Sequence, residues 1–276
     1  MKRRVSGRSD RTLTALARRI EALDAAPRPE FGWGGAVGFG DAGRVSRIGH
    51  FVAVMSRWTD AVVEIEAGPG AAIEPAAADE LARGSHLLAA IVQDEPRLVT
   101  GPMDGAMQQW TPIGRSAYTG EPPTKRSFVT PHADQSAAIK PADAGMYTST
   151  ACVGEVSMWR ALLGPGGSAV RPLPRYTWNL THSLPVRVAE ITSASRWAEF
   201  VCAHPRYVGG VIYPDWVSVS RSCDAIHITL PTIAAAQGFA LTTPDGAIAP
   251  AFWDVETTFW VRWRVSAAQL VEGPRR

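Results

Sequence analysis

Apolar positions recur at two different periods along this chain, and the change from one to the other divides it. Over the first third the spacing is helical. Asp10 caps an expected helix through about Ala25, with Leu13, Leu16, Ala17, Ile20 and Leu23 on one stripe. Pro27, Pro29 and the glycine-rich run 32–40 break it. A second helix is expected over about 41–66, carrying Ile48, Phe51, Val52, Met55, Trp58 and Val62 on one face. A third is expected over about 75–93, burying Leu81, Leu87, Leu88, Ile91 and Val92. Together they suit a small bundle. From about Arg97 the pattern shortens to β-rich runs punctuated by Pro, Gly and Asp: 97–100, 127–130, 146–150, 186–191, 225–230 and 257–265. Two helices interrupt them, one through Trp159 to Leu163 and one starting near Ser193 with Trp197, Phe200 and Val201. The expected fold is therefore α+β: a helical N-terminal region over 1–95, then one α+β domain over 96–276.

Composition narrows the function classes. Apolar content of 46% with 20% charged residues describes a folded globular chain. A net charge of +2 is too small to draw nucleic acid or membrane by field alone. Only Lys2, Lys125 and Lys140 are lysines, a bias that base composition explains better than phosphate chemistry. Cys152, Cys202 and Cys223 have no ligand spacing and read as reduced thiols of a cytoplasmic protein. No apolar segment follows the basic start Met1-Lys2-Arg3-Arg4, and no run approaches the roughly 18 apolar residues of a membrane span. The six histidines lack HxH or HExxH spacing, so no metal is expected.

Candidate chemistry concentrates in two distant segments. Alternation in Tyr147-Thr148-Ser149-Thr150 puts Tyr147 and Ser149 on one face and Thr148 and Thr150 on the other. Lys140-Pro141 and Gly145 precede this strand as a turn that admits a ligand, and Ser157 and Trp159 follow it. In the last run Val255, Thr257, Phe259, Val261, Trp263 and Val265 face one way. Glu256, Thr258, Trp260, Arg262 and Arg264 face the other. The ordinary explanation is a solvated strand face with cross-strand charge pairs. The sharper one places Glu256 in a cleft beside the hydroxyl strand, with Asp254 as a substitute.

Gly145-x-Tyr147-x-Ser149, with Ser157 and the aromatic Trp159, resembles the nicotinamide-pocket strand and helix of ADP-ribosyltransferases. Tyr147-Thr148-Ser149-Thr150 is also similar to the Ser-Thr-Ser strand of another toxin branch of that superfamily. The resemblance spans about 97–265 and implies a split β-sheet. It implies that Glu256 is catalytic and that NAD is a consumed substrate, with no bound cofactor. It further implies that Tyr147 and Trp159 sandwich nicotinamide, that Ser149 braces the carboxylate, and that Thr150 lines the NAD site. Arg97 is the first candidate for the pyrophosphate, ahead of Arg126 and His132. Protein or nucleic acid is the implied acceptor, and a toxin or phage-defence role would bring an inhibitory partner protein. The chain departs from the family in having no His-Gly dipeptide and no Glu-x-Glu pair, because position 254 is Asp. It also resembles uncharacterised bacterial and phage proteins with Lys-Pro-x-Gly-aromatic-x-Ser and Trp-Asp-x-x-Ser/Thr-x-x-Trp motifs, through Lys140-Pro141, Gly145 to Ser149, Trp253-Asp254, Thr257 and Trp260.

Two rivals stand beside the transferase. One is a non-enzymatic protein- or nucleic-acid-binding module, with Tyr147 in the core and Glu256 exposed; Arg175 to Asn179 would be its base-stacking segment. The other is a hydrolase pairing Ser149 or Ser220 with His227 and Asp215 or Asp254, without a Gly-x-Ser-x-Gly elbow. By pattern His227 is a hydrogen-bonded strand histidine, and Asp215 caps a short helix anchored by Trp216.

Overall fold

The computed structural model describes residues 72–84, 89, 93, 101–112, 120–132, 140–141, 144–153, 156–163, 176–236, 240–251, 253 and 255–273. The expected helices 10–25 and 41–66, the strand 97–100, Arg97 and Asp254 lie outside them. The described chain is α+β and sheet-rich. Its strands are β1 (Ala72–Ile73), β2 (Gln108–Trp110), β3 (Met146–Val153), β4 (Val156–Ser157), β5 (Thr177–His182), β6 (Val188–Ile191) and β7 (Pro205–Val208). They continue with β8 (Val211–Pro214), β9 (Ala225–Ile228), β10 (Ala240–Thr243), β11 (Gly246–Ile248), β12 (Thr257–Trp260) and β13 (Val265–Glu272). The helices are α1 (Pro75–Arg83), α2 (Met158–Leu163), α3 (Ala194–Ala203), α4 (Trp216–Ser222) and α5 (Leu230–Ala236).

Two sheets form. One runs β1-β10-β11-β8-β7; the other runs β13-β5-β2-β3-β12-β9-β6, with β4 paired to β3. In the second sheet, strands far apart in sequence become neighbours: β3 pairs antiparallel with β12, β12 with β9, and β9 lies parallel to β6. Their register creates rows across the strands. Tyr147, Phe259, Ile226 and Ala189 form one row; Thr148, Thr258, His227 and Glu190 form the next, on the opposite face.

The first face carries the main core. Phe259, Ile226, Ile228 and Ile191 pack there with Trp197 and Val201 of α3, Trp216 and Val219 of α4, and the alanines of α5. The Ser193 side chain caps α3 by accepting from the Arg196 amide; Asp215 caps α4 by accepting from Val217 and Ser218, as its position predicts. The second face has a smaller apolar cluster, with Met146, Trp178, Leu180, Trp260 and Val265.

Several expectations change. Ala72–Arg83 falls within the expected N-terminal region, yet Ile73, Ala78 and Ala82 belong to the main core. β1 also pairs with β10, and Asp79 accepts hydrogen bonds from the Ala194 and Ser195 amides. Helical period marks a buried face without saying which partner buries it. The run 127–130 is irregular and mostly exposed. The run 225–230 stops at Ile228, because Thr229 accepts from the Ile233 amide and starts α5. The run 257–265 is two strands, divided where Val261 and Arg262 turn to donate their amides to the Asp224 carbonyl. Trp178 is buried in the second cluster rather than offered to a base.

Candidate functional site

Glu256 is fully buried at the entry to β12, two residues before Thr258, which places it across from Thr150. Thr150 donates both its amide (3.0 Å) and its hydroxyl (2.9 Å) to the Glu256 carboxylate. His227, diagonal to Glu256 on the other neighbouring strand, brings Nε2 to 2.9 Å from Oε1. The opposite ring nitrogen, Nδ1, lies 2.6 Å from Glu190 Oε2. Glu190 is the solvent end of the chain, its side chain 31% exposed, and its second oxygen accepts the Met103 amide at 2.8 Å.

This carboxylate–imidazole–carboxylate line continues on the far side of Glu256. The Trp260 indole donates to Thr148 Oγ1 (2.9 Å), and Thr148 donates to the Gln108 carbonyl (2.5 Å). The Gln108 amide donates to Thr150 Oγ1 (3.1 Å), which in turn donates to Glu256. Every hydrogen bond in this series therefore points toward the carboxylate, an arrangement in which successive donors polarise one another.

Charge follows from the partners. Burial alone would keep His227 neutral, but the hydrogen bonds and negative charges of Glu190 and Glu256 overcome it and raise its pKa to about 9. With both ring nitrogens beside carboxylates, the imidazolium is the form that satisfies both. Two carboxylates and one imidazolium leave one net negative charge on this face. His182 offers a contrast on the same face. It stacks on Trp260 with centroids 4.0 Å apart, and burial lowers its pKa to about 4 despite the Gly105 carbonyl 3.4 Å from Nδ1.

A loop lies along the rim of this network. Met103 holds Glu190, the Asp104 carbonyl accepts from Gln108, and the Gly105 carbonyl faces His182. The segment 101–107 therefore spans the polar face from its exposed carboxylate to Gln108.

Thr150 and Glu256 thus come together, as the two sequence segments predict. Tyr147, Ser149 and Trp159 do not join them, because the two-residue repeat that puts Thr150 toward Glu256 turns Tyr147 and Ser149 to the other face. Ser149 does not brace the carboxylate. Its Oγ accepts the Trp159 amide (3.0 Å), while Ser157 Oγ accepts from Arg160, so both serines serve donors at the start of α2. Nor do Tyr147 and Trp159 form a parallel sandwich; they meet edge-on at 6.4 Å. The Tyr147 ring stacks on Phe259 at 4.5 Å, its hydroxyl donates to the Pro141 carbonyl, and burial pushes its pKa well up. The Lys140 ammonium sits 5.5–5.9 Å from the rings of Trp159, Tyr147 and Trp253. Gly145, expected to admit a ligand, instead admits the neighbouring strand. Its φ is +70°, and a Cβ there would lie 2.2 Å from the Phe259 ring.

The hydrolase arrangement fails on partners, since His227 gives both nitrogens to glutamates and none to a serine. The binding-module expectation of an exposed Glu256 fails too. Arg126 and His132 are exposed in the irregular segment 120–132. Sequence reasoning missed Gln108 and Glu190 altogether. Glu190 had a signal, the polar position in Val188-Ala189-Glu190-Ile191; Gln108 had none, because its strand is three residues long. Among the described residues no group of three or more His, Cys, Asp or Glu side chains is arranged to hold a metal, and no helix is long and apolar enough to cross a membrane.

Comparison with known proteins finds no family model, no curated protein and no solved structure that matches this chain.

Proposed function

We propose that the protein is an NAD-consuming ADP-ribosyltransferase or NAD glycohydrolase of split-sheet type, with Glu256 as its catalytic carboxylate. The observation that carries this reading is the clamp of Thr150 on Glu256, a hydroxyl and an amide from one strand on a carboxylate from a strand over 100 residues away. Cleavage of the nicotinamide–ribose bond develops positive charge at the anomeric carbon. A carboxylate fixed by donors and carrying the net negative charge of the Glu190–His227–Glu256 line stabilises that charge electrostatically. Glu256 would also accept a ribose hydroxyl.

Because Glu256 has no exposed surface, substrate reaches it only after neighbouring residues move, and we assign that movement to the 101–107 segment, which is held to Glu190 and Gln108 by single hydrogen bonds. Tyr147, Ser149 and Trp159 are withdrawn from the NAD site, and Arg97 keeps its proposed place at the pyrophosphate. The ADP-ribose would pass to water or to a protein or nucleic-acid acceptor. Such consumption of NAD suits a cytoplasmic toxin or phage-defence effector held by an inhibitory partner.

The packing of Tyr147 against the main core favours a second reading, a non-enzymatic binding module in which the polar line braces the sheet. One experiment separates the two: nicotinamide release from NAD by the purified protein, alone and with cell lysate, beside Glu256→Gln. Release by the wild type and its near loss in a folded Glu256→Gln variant support the transferase. No release by the wild type under either condition supports the brace.

A further inference from the structure

At the far end of the same strands lies a second charged group that the proposed reaction does not use. Asp224, immediately before β9, is fully buried and faces three arginines. Arg264 donates Nη2 to its Oδ1 at 2.8 Å, the Arg262 Nη1 lies 3.8 Å from the same oxygen, and the Arg187 Nε lies 4.0 Å from Oδ2. Burial would raise the Asp224 pKa, but the Arg187 amide and the guanidiniums outweigh it and hold it below the ordinary value.

One carboxylate therefore meets three guanidiniums, and among the described residues two positive charges have no counter-ion. The guanidiniums are also far from saturated. The Arg262 Nη2 makes a 3.3 Å bond to the Arg221 carbonyl, the Arg187 side chain makes no hydrogen bond, and the buried Arg264 Nε has no acceptor. All three side chains keep 34–55% of their surface in solvent. Arg264 bonds the buried carboxylate directly, and Arg187 supports its charge through space. An anion joining the cluster would relieve the mutual repulsion of the three guanidiniums.

We infer that Arg187, Arg262 and Arg264 form a binding site for a compact phosphate-bearing anion, a diphosphate group in particular. Guanidinium forks match phosphate oxygens bidentately, and three part-exposed ones gathered round the single charge of Asp224 suit a small multiply charged group. A polynucleotide backbone would call for cations strung along a track, and the chain's net charge of +2 does not supply one. The site is separate from Glu256: the four residue steps from Glu256 to Trp260 already span about 13 Å of strand.

The test is calorimetric titration of the whole chain with inorganic pyrophosphate, with phosphate, with sulfate at matched ionic strength, and with a single-stranded oligonucleotide. The variant is Arg187→Gln/Arg262→Gln, which leaves the Arg264–Asp224 bond intact. One-site binding of pyrophosphate tighter than of sulfate is expected, with a rise in Tm. In the variant, affinity should fall at least tenfold, with a single cooperative unfolding transition showing that the variant is folded. Absence of wild-type binding at millimolar pyrophosphate, an unchanged affinity in the variant, or an oligonucleotide bound more tightly than pyrophosphate would overturn the assignment.

Discussion

The two faces of β3 and β12 are built from alternate residues of the same two strands, yet they behave as different materials. On one, Tyr147 stacks on Phe259 within a ring cluster that includes Trp159, Trp216 and Trp253. On the other, Thr148, Thr150, His227 and Glu256 exchange directed hydrogen bonds with almost no water contact. The aromatic face gains from area and tolerates imperfect geometry; the polar face depends on the bonds made to Glu256, while Thr258 Oγ1 and His182 Nε2 on the same face are buried without a partner. Sequence alternation alone assigned each residue to its side. What each side became depended on the strands beside it.

That contrast can be broken from either side, and the two breaks differ in kind. Glu256→Ala leaves a buried imidazolium and two donors of Thr150 without their acceptor, so unfolding free energy in urea should fall by about 3–5 kcal/mol. Phe259→Ala, its counterpart on the aromatic face, should cost about 3–5 kcal/mol through the cavity it leaves, but with no change in pH dependence.

The pH dependence itself is the next largest effect. His227 has a folded pKa near 9, above the ordinary 6.5, so the folded state holds a proton the unfolded state releases. Its contribution is complete below pH 6.5 and is lost as pH rises toward 9, by up to about 3 kcal/mol. His182, with a pKa lowered to about 4, works in reverse: its contribution is present above pH 6.5 and is lost as pH falls toward 4. Denaturation midpoints measured across this range should therefore fall on both sides of pH 6.5, and His227→Gln should flatten the alkaline side only.

A matched pair of hydroxyl deletions gives the finest comparison. Thr150→Val removes a charge-assisted bond to Glu256 and should cost about 1.5–3 kcal/mol. Ser149→Ala, one residue away, removes a bond to an amide at the start of α2 and should cost about 1 kcal/mol. If Glu256 is catalytic, Thr150→Val lowers nicotinamide release and Ser149→Ala does not; equal loss from both would defeat the separation of the faces.

The sequence carried part of this arrangement openly. The hydroxyl strand, the late carboxylate and the face of each followed from alternation, and the cap at Asp215 from its residue type. Illegible were the relations between strands. Nothing in Ala225-Ile226-His227-Ile228 says that Thr258 lies on one side of His227 and Glu190 on the other, because register is set by which strands become neighbours. The same limit explains Tyr147, where motif similarity suggested a ligand against the ring and β12 put Phe259 there instead.

The pairing of β3 with β12 also has a kinetic consequence. Thr148 and Thr258 lie 110 positions apart, and β1 reaches from Ala72 to Ala240. Such distant pairings must absorb loop-closure entropy before they return any contact energy, which places folding toward the slow, millisecond-to-second regime. During synthesis, Thr150 and His227 emerge long before or shortly ahead of Glu256, and their donors wait in water for an acceptor. The network is thus closed only when β12 joins strands made long before it, so a chain that stops short of Glu256 leaves Thr150 and His227 without their shared acceptor.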